Sequence, residues 1–155
     1  AFIRRPEILQ SAMMASAAYL VEDEARQPFH YTPEFSRRAR GIEVWAALRS
    51  LGRAGVVDLV ERTCRLARRF ATGLAQAGFE VLNEICLNQV LVSFGSAEET
   101  RRVIAALQAE GTCWCGGTVW QGRTAMRISV SSWVTTEADV DASLGAIIRI
   151  AGRQQ

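Results

Sequence analysis

The chain of 155 residues contains no lysine: all eighteen of its basic residues are arginine. Without a lysine amine, the chain alone cannot complete chemistry that passes through a Schiff base to its own side chain. Codon bias also produces lysine-free sequences, so this absence identifies no function. The arginines number twelve against eight acids in residues 1–78, and six against eight in residues 79–155. This asymmetry is mild, and the sequence has no concentrated group of basic residues of the kind that nucleic-acid-binding domains carry.

Cysteine and histidine are too scarce to form a recognisable metal site. The four cysteines have no CxxC spacing, and Cys113 and Cys115, in a strand-like run, offer a metal only two ligands. We expect no metal and reduced, buried or half-buried thiols, which favours a reducing, cytoplasmic compartment. The N-terminal apolar run is interrupted by Glu7 and Gln10 and is too short to span a bilayer. We therefore expect no membrane and no nucleic-acid partner.

The first half of the sequence predicts helices around one irregular segment. An apolar face follows Pro6, which suits the first position of a helix. Residues 22–35 contain acids and two prolines without a period, which predicts a long loop of a kind that is often functional. One helix is predicted from Ser36, and the next ends at Gly78. The second of these carries a core-facing stripe at steps of three and four residues: Val57, Val60, Cys64, Ala67, Ala71 and Leu74.

The second half changes to a strand period and predicts the order β-β-α-β-β-α. "FEVLN" and "CLNQVLVSF" indicate two strands, and Ser96 with Glu99 forms a capping box before a helix. Two further strands, near 112–120 and 124–131, are joined by the turn "QGR", and "TTEAD" begins the last helix. The pattern is typical of an α/β (α+β) domain with helices on one face of a small, mostly antiparallel sheet.

The strand "TAMRISVSS" places one long cation among small side chains. Met126 and Ile128 point towards the predicted helices, while Arg127 points the other way among Ala125, Ser129 and Ser131. A guanidinium with open space around it can hold a carboxylate through two parallel hydrogen bonds. An arginine exposed to solvent on an uncovered sheet is the plainer interpretation, and the strand alone leaves both open.

Two other groups of residues also leave alternatives open. His30, the only histidine, is either an accessible loop acid or base or an idle loop residue, and Tyr31 adjoins it. The tryptophans in the second half are either packing and interface residues or ligand-stacking platforms, with packing favoured. They are Trp114, Trp120 and Trp133.

Three stretches together resemble one known family. "YTPEFSRRARGIEVWAALRSLGRAG", "LNQVLVSF" and "MRISVSSW.TTEADVD" are similar, in this order, to the C-terminal region of group II pyridoxal-phosphate-dependent amino-acid decarboxylases. The match is closer to the branch that acts on aromatic L-amino acids than to the glutamate branch, where an aspartate tends to stand at the position of Arg40. Glu43 departs from the lysine common in the aromatic branch, so the substrate stays open.

The resemblance implies the C-terminal part of a dimeric fold-type-I enzyme whose cofactor lysine lies upstream of residue 1. It divides the chain into the end of the large cofactor domain (1–21), a mobile lid (22–35), linking helices (36–78) and a small domain (79–155). The cofactor would be pyridoxal 5'-phosphate, bound mainly by the upstream domain. The reaction would be decarboxylation of an L-amino acid through Schiff-base and quinonoid intermediates, with this fragment inactive alone.

The resemblance also implies roles for particular residues. Tyr31 would be the lid acid, and Arg127 would bind the substrate carboxylate. His30, beside Tyr31, is a second catalytic candidate because of its position in the loop and not because of the resemblance. Arg37, Arg38 and Arg40 would anchor the lid, which would explain three arginines at a helix start, where acids are normally preferred. Two alternatives stay open: a pyridoxal-phosphate aminotransferase, and a non-enzymatic domain for small-acid binding or dimerisation.

Overall fold

The computed structural model describes residues 3–13, 28–33 and 38–152 of the chain. These residues belong to two compact units, Ala1–Arg49 and Ser50–Gln155. In the first unit, helix α1 spans Pro6–Met13 and contacts a short 3-10 turn, Pro28–Tyr31. Residues 14–20 of the predicted helix over 6–20, and residues 22–27 and 34–35 of the predicted loop over 22–35, lie outside the described residues.

Helix α2 spans Arg40–Gln76 and is interrupted at Gly52. Its helical conformation begins at Arg40 and not at the predicted Ser36, since Arg38 has no helical conformation. Gly52 adopts φ 60° and ψ −174°, a left-handed combination that glycine takes without the steric penalty of a Cβ atom. Gly52 thus separates two helical stretches.

The predicted core stripe of α2 is right only in its second part. Cys64, Ala67 and Leu74 are buried as expected, but Val57 and Val60 are 46% and 47% exposed, so the prediction is wrong for them. The common core reaches α2 only from Leu66 onward. A period of three and four residues shows which side of a helix is apolar, but not how far along the helix a partner covers it.

The second unit has the predicted strand and helix order. It contains β1 (Glu80–Val81), β2 (Gln89–Ser93), α3 (Ala97–Glu110), β3 (Gly116–Trp120), β4 (Arg123–Ser129) and α4 (Glu137–Gly152). The strands form one sheet in the order β1-β2-β4-β3, and every neighbouring pair is antiparallel. The prediction of a small antiparallel sheet with helices packed on it is confirmed.

Local sequence signals fix the ends of several elements. The Ser96 hydroxyl accepts from the Glu99 backbone amide at 3.1 Å, and the Glu99 carboxylate accepts from the Ser96 amide at 2.7 Å, which confirms the capping box of α3. Gln121 and Gly122 join β3 to β4 with φ values of 48° and 78°, the two positive angles of a type I′ hairpin turn. The turn fixes the register in which β3 pairs with β4.

The core lies between one side of the sheet and the three helices of the second unit. Val90 pairs with Ile128 and Val92 with Met126, and all four side chains belong to one buried cluster. The same cluster contains side chains of α2, α3 and α4 such as Leu74, Leu107 and Ile147, which are fully buried. No helix in the described part of the chain is long and apolar enough to cross a membrane.

Candidate functional site

Arg127 lies near the middle of β4 on the side of the sheet opposite the helices. Its chain neighbours Met126 and Ile128 are 0% and 4% exposed in the core, whereas Arg127 is exposed. Because successive side chains of a strand point to opposite faces, the guanidinium projects away from the helix layer. The predicted direction of this side chain is therefore confirmed; its function stays a prediction.

The cross-strand neighbours of Arg127 leave one side of it open. Its register partner on β2 is Leu91, and its partner on β3 is Gly116, which has no side chain. A Cβ atom placed on Gly116 would meet nothing within 4 Å. Along β4 itself, the next side chains on the same face belong to the small residues Ala125, which is buried, and Ser129, which is exposed.

The two arginines on this face of β4 differ in their partners. Arg123 forms a bidentate ion pair with Glu80 of β1, with one contact of 2.7 Å, and this hydrogen bond lowers the pKa of the Glu80 carboxyl. Among the described residues, no carboxylate forms an ion pair with Arg127. The face therefore carries one neutralised arginine and one whose charge is available to an anion from outside.

His30 is buried and not accessible, so that part of its prediction is wrong. It is 6% exposed, and its Nδ1 atom lies 3.2 Å from the Gln10 Nε2 atom of α1. A loop position alone gave no sign of this contact, because α1 is twenty residues away in sequence. Tyr31 is adjacent in the same 3-10 turn and is partly buried. Their catalytic roles stay predictions.

The three arginines at the junction have separate places in the chain. Arg38 forms an exposed ion pair with Glu43, in the first turn of α2, and Arg40 is the first residue of that helix. Arg37 lies outside the described residues. The acid preferred at a helix start is thus present as Glu43. The same carboxylate neutralises Arg38, and this pairing was not predicted. Lid anchoring stays a prediction for all three.

Sequence reasoning missed two contacts of the second unit. Glu80 and Arg123 are 43 positions apart, and no local pattern links them. The side chains of Cys113 and Cys115 shift each other's pKa and line one cavity. The only sign of this in the sequence was the two-residue spacing of the cysteines, which keeps their side chains near each other. The pair precedes β3, so the predicted strand near residue 112 begins later, at Gly116. No group of three or more metal-binding side chains occurs among the residues that the structure describes.

Comparison with known proteins identifies the family. The model of the pyridoxal-dependent decarboxylase conserved domain matches residues 1–96, more than half of the chain. The chain belongs to the pyridoxal-dependent decarboxylase family. Histidine decarboxylase of Drosophila melanogaster, a curated relative, is 31% identical over 113 residues, which are 72% of this chain and 13% of that protein. The predicted family is confirmed. Arg127 lies beyond residues 1–96, which the family model matches.

Solved structures of decarboxylases share the fold of this family member. TDC of Oryza sativa, with PLP and tryptamine, superposes with a TM-score of 0.79 at 19% identity, over 93% of this chain and 33% of that one. Tryptophan decarboxylase of Catharanthus roseus gives 0.71 at 18% identity, over 96% and 34%. Mouse CSAD gives 0.75 at 17% identity, over 93% and 34%. The chain thus spans about a third of these proteins.

The residues of this chain fit only a part of a pyridoxal phosphate site. The sequence has no lysine, so no side chain here can form the covalent link to the cofactor aldehyde. When bound, pyridoxal phosphate withdraws electrons from the bonds around the substrate α-carbon. This chain can offer the guanidinium of Arg127, which is suited to orienting an anionic group such as a carboxylate.

Proposed function

We propose that this chain is part of a pyridoxal-phosphate-dependent decarboxylase of L-amino acids, in which Arg127 binds the substrate carboxylate. The family match supports the reaction class. The carboxylate-binding role of Arg127 is supported by its exposed guanidinium, which has no ion-pair partner among the described residues. Arg123, on the same face, is neutralised by Glu80. Because the chain spans a third or less of its relatives, the lysine that holds the cofactor would come from sequence outside these 155 residues.

The substrate that we propose is an aromatic L-amino acid. Relatives named for histidine and tryptophan decarboxylation support this choice. The proposed division is the end of a cofactor domain in residues 1–21, a lid in 22–35, linking helices in 36–78 and a small domain in 79–155. In the lid, Tyr31 would donate the proton to the substrate carbon with His30 beside it, while Arg37, Arg38 and Arg40 would hold its base.

We propose that the full-length enzyme is a cytoplasmic homodimer. Support for association comes from large apolar side chains on the first part of α2, among them Ile42, Trp45 and Leu48, which are 64%, 63% and 53% exposed. Apolar surface of this kind marks contact areas in soluble proteins. Support for a reducing compartment comes from the four cysteines, all of which are free thiols.

The test of the proposed function removes the Arg127 charge in the full-length protein. In Arg127→Gln, we expect affinity for L-tryptophan or L-histidine to fall about tenfold to a hundredfold, the equivalent of a lost charge-assisted hydrogen bond. Affinity for the corresponding amine should stay unchanged, because the amine has no carboxylate. Calorimetric titration with the amino acid and the amine measures both.

A matched control lies on the same face of the same strand. Arg123→Gln also removes one guanidinium, but this guanidinium is already paired with Glu80, so we expect no selective loss of amino-acid affinity. Equal losses in both variants, or an equal loss of amine affinity, would contradict the role of Arg127. Formation of a keto acid without release of carbon dioxide would favour the aminotransferase, and neither product would favour a binding domain.

A further inference from the structure

A second cluster of reactive side chains lies in the helix-facing core, away from Arg127. Cys113 and Cys115 precede β3, are separated by one residue, and both line one cavity. Cys115 is 5% exposed and belongs to the core cluster, while Cys113 is only partly buried. Both are free thiols. The outer thiol is thus the more accessible of the two, and the inner thiol lines the same cavity.

A cavity of about 180 Å³ opens beside the outer thiol. Cys113 and Trp114 line it from the segment before β3, Phe70 from α2, and Asp139 and Ser143 from α4. A single water occupies far less space than this, so a molecule the size of hydrogen peroxide fits.

The surroundings shift the pKa values of the two thiols in opposite directions. A hydrogen bond from Cys115 and a weaker one with Ser143 lower the pKa of the Cys113 thiol to about 7, against the opposing effects of partial burial and of the Glu110 carboxylate. The same contact with Cys113, together with burial, raises the pKa of the Cys115 thiol. Of the two thiols, Cys113 is therefore the one that ionises more readily.

Two further groups in the cavity wall have other partners. The Asp139 carboxylate accepts hydrogen bonds from the backbone amide and the hydroxyl of Thr136, at 2.8 and 2.7 Å. The Ser143 hydroxyl donates to the Asp139 carbonyl oxygen at 2.7 Å, so its single proton is shared. Cys115 therefore has the largest effect on the pKa of the Cys113 thiol, and removing it should change the reactivity of Cys113.

We propose that Cys113 and Cys115 form a peroxide-oxidisable dithiol, in which Cys113 reacts first and Cys115 resolves the product. The Cys113 thiolate attacks one oxygen of a hydroperoxide; the O–O bond breaks, the sulfur is oxidised to sulfenic acid, and hydroxide or alkoxide leaves. The Cys115 sulfur then attacks the Cys113 sulfur. A disulfide forms, and the hydroxyl leaves with the Cys115 proton as water.

The two-residue spacing makes this a reversible bond. Two residues of fully extended chain span about 7 Å, near the upper limit of the Cα–Cα separation that a disulfide accepts. The backbone at Trp114 therefore has to bend when the bridge closes. Cys113 and Trp114 are outside the helices and strands, so this bending breaks no ladder hydrogen bond of the sheet. We expect a dithiol reductant to restore both thiols.

The full-length protein with hydrogen peroxide as the probe tests this directly. Trypsin, which cleaves after arginine, releases both cysteines in the peptide of residues 103–123, whereas Cys86 is in 70–101 and Cys64 in 63–65. We expect the peptide 103–123 to lose two hydrogens first. Cys86, which is exposed, is the internal control for accessibility alone. Oxidation of Cys86 ahead of this peptide would overturn the proposal.

Two variants separate the roles of the thiols. In Cys115→Ala, the disulfide should be absent, dimedone should trap sulfenic acid on Cys113, and the pH midpoint of Cys113 alkylation should rise from about 7 towards the ordinary thiol value of about 8.5. In Cys113→Ser, oxidation of Cys115 should fall at least tenfold. An unchanged alkylation midpoint in Cys115→Ala, or undiminished oxidation of Cys115 in Cys113→Ser, would contradict the assigned order.

Discussion

At the scale of single residues, backbone angles identify positions where the side chain and the conformation disagree. Gln121 has φ of 48° and is the one described residue other than glycine with a positive φ. Left-handed backbone conformation costs a residue with a Cβ atom about 1–2 kcal/mol, whereas asparagine tolerates it better. The hairpin that joins β3 to β4 therefore contains a residue that the turn does not favour.

Replacing this residue should stabilise the protein. Gln121→Asn creates the Asn-Gly pair preferred in type I′ turns, and we expect the free energy of unfolding to rise by up to about 1 kcal/mol. Urea unfolding of the 155-residue chain, followed by circular dichroism, measures the change. Gln76→Asn, at the end of α2, is the matched control and should change stability by less than about 0.5 kcal/mol. Equal effects would show that the turn angle is not the cause.

At the scale of elements, the sequence predicted what local chemistry decides. Ser96 and Glu99 predicted the start of α3, and the alternation of side chains along a strand predicted that Arg127 lies on the face opposite Met126. Both signals act within a few residues. The exposure of Val57 and the burial of His30 were not predictable in this way. Each depends on whether a segment distant in sequence packs against that position. The local pattern of residues carries no information about such packing.

The capping box of α3 should make its first turn sensitive to acid. Backbone and side-chain hydrogen bonds from Ser96 lower the pKa of the Glu99 carboxyl below its ordinary value of 4.5. The contribution of Glu99 is therefore complete above pH 4.5 and is lost as the pH falls through the lowered pKa. We expect amides of the first turn of α3 to exchange hydrogen faster at pH 3 than at pH 5, after correction for intrinsic rates.

The matched variant keeps the shape of the Glu99 side chain and removes its titration. In Glu99→Gln, the amide oxygen can still accept from the Ser96 amide, and the protection of the first turn of α3 should no longer depend on pH. Amides at the end of α3, near Leu107, provide the internal reference in the same spectra. A pH dependence that persists in Glu99→Gln would assign the acid sensitivity to another group.

At the scale of the whole molecule, the apolar core belongs to one of the two compact units. Among the described residues, every hydrophobic side chain that is buried lies between Cys64 and Ile147, inside the unit Ser50–Gln155. The buried residue of the other unit is His30. The resemblance to decarboxylases placed the start of a small domain at residue 79, whereas the core also requires Leu66 and Leu74 of α2. The core of this unit therefore includes the end of a helix that precedes residue 79.

A chain limited to residues 50–155 should therefore fold by itself. We expect cooperative urea unfolding with a midpoint close to that of the 155-residue chain, because the side chains that form the core are all retained. Leu74→Ala in the shorter chain should lower the free energy of unfolding by about 2–5 kcal/mol, as for other fully buried leucines. Leu87→Ala, at a leucine that is 64% exposed, should change it by less than about 0.5 kcal/mol. Non-cooperative unfolding of the shorter chain would mean that residues before Ser50 contribute to the core, and equal effects of the two leucine variants would contradict the burial on which this prediction depends.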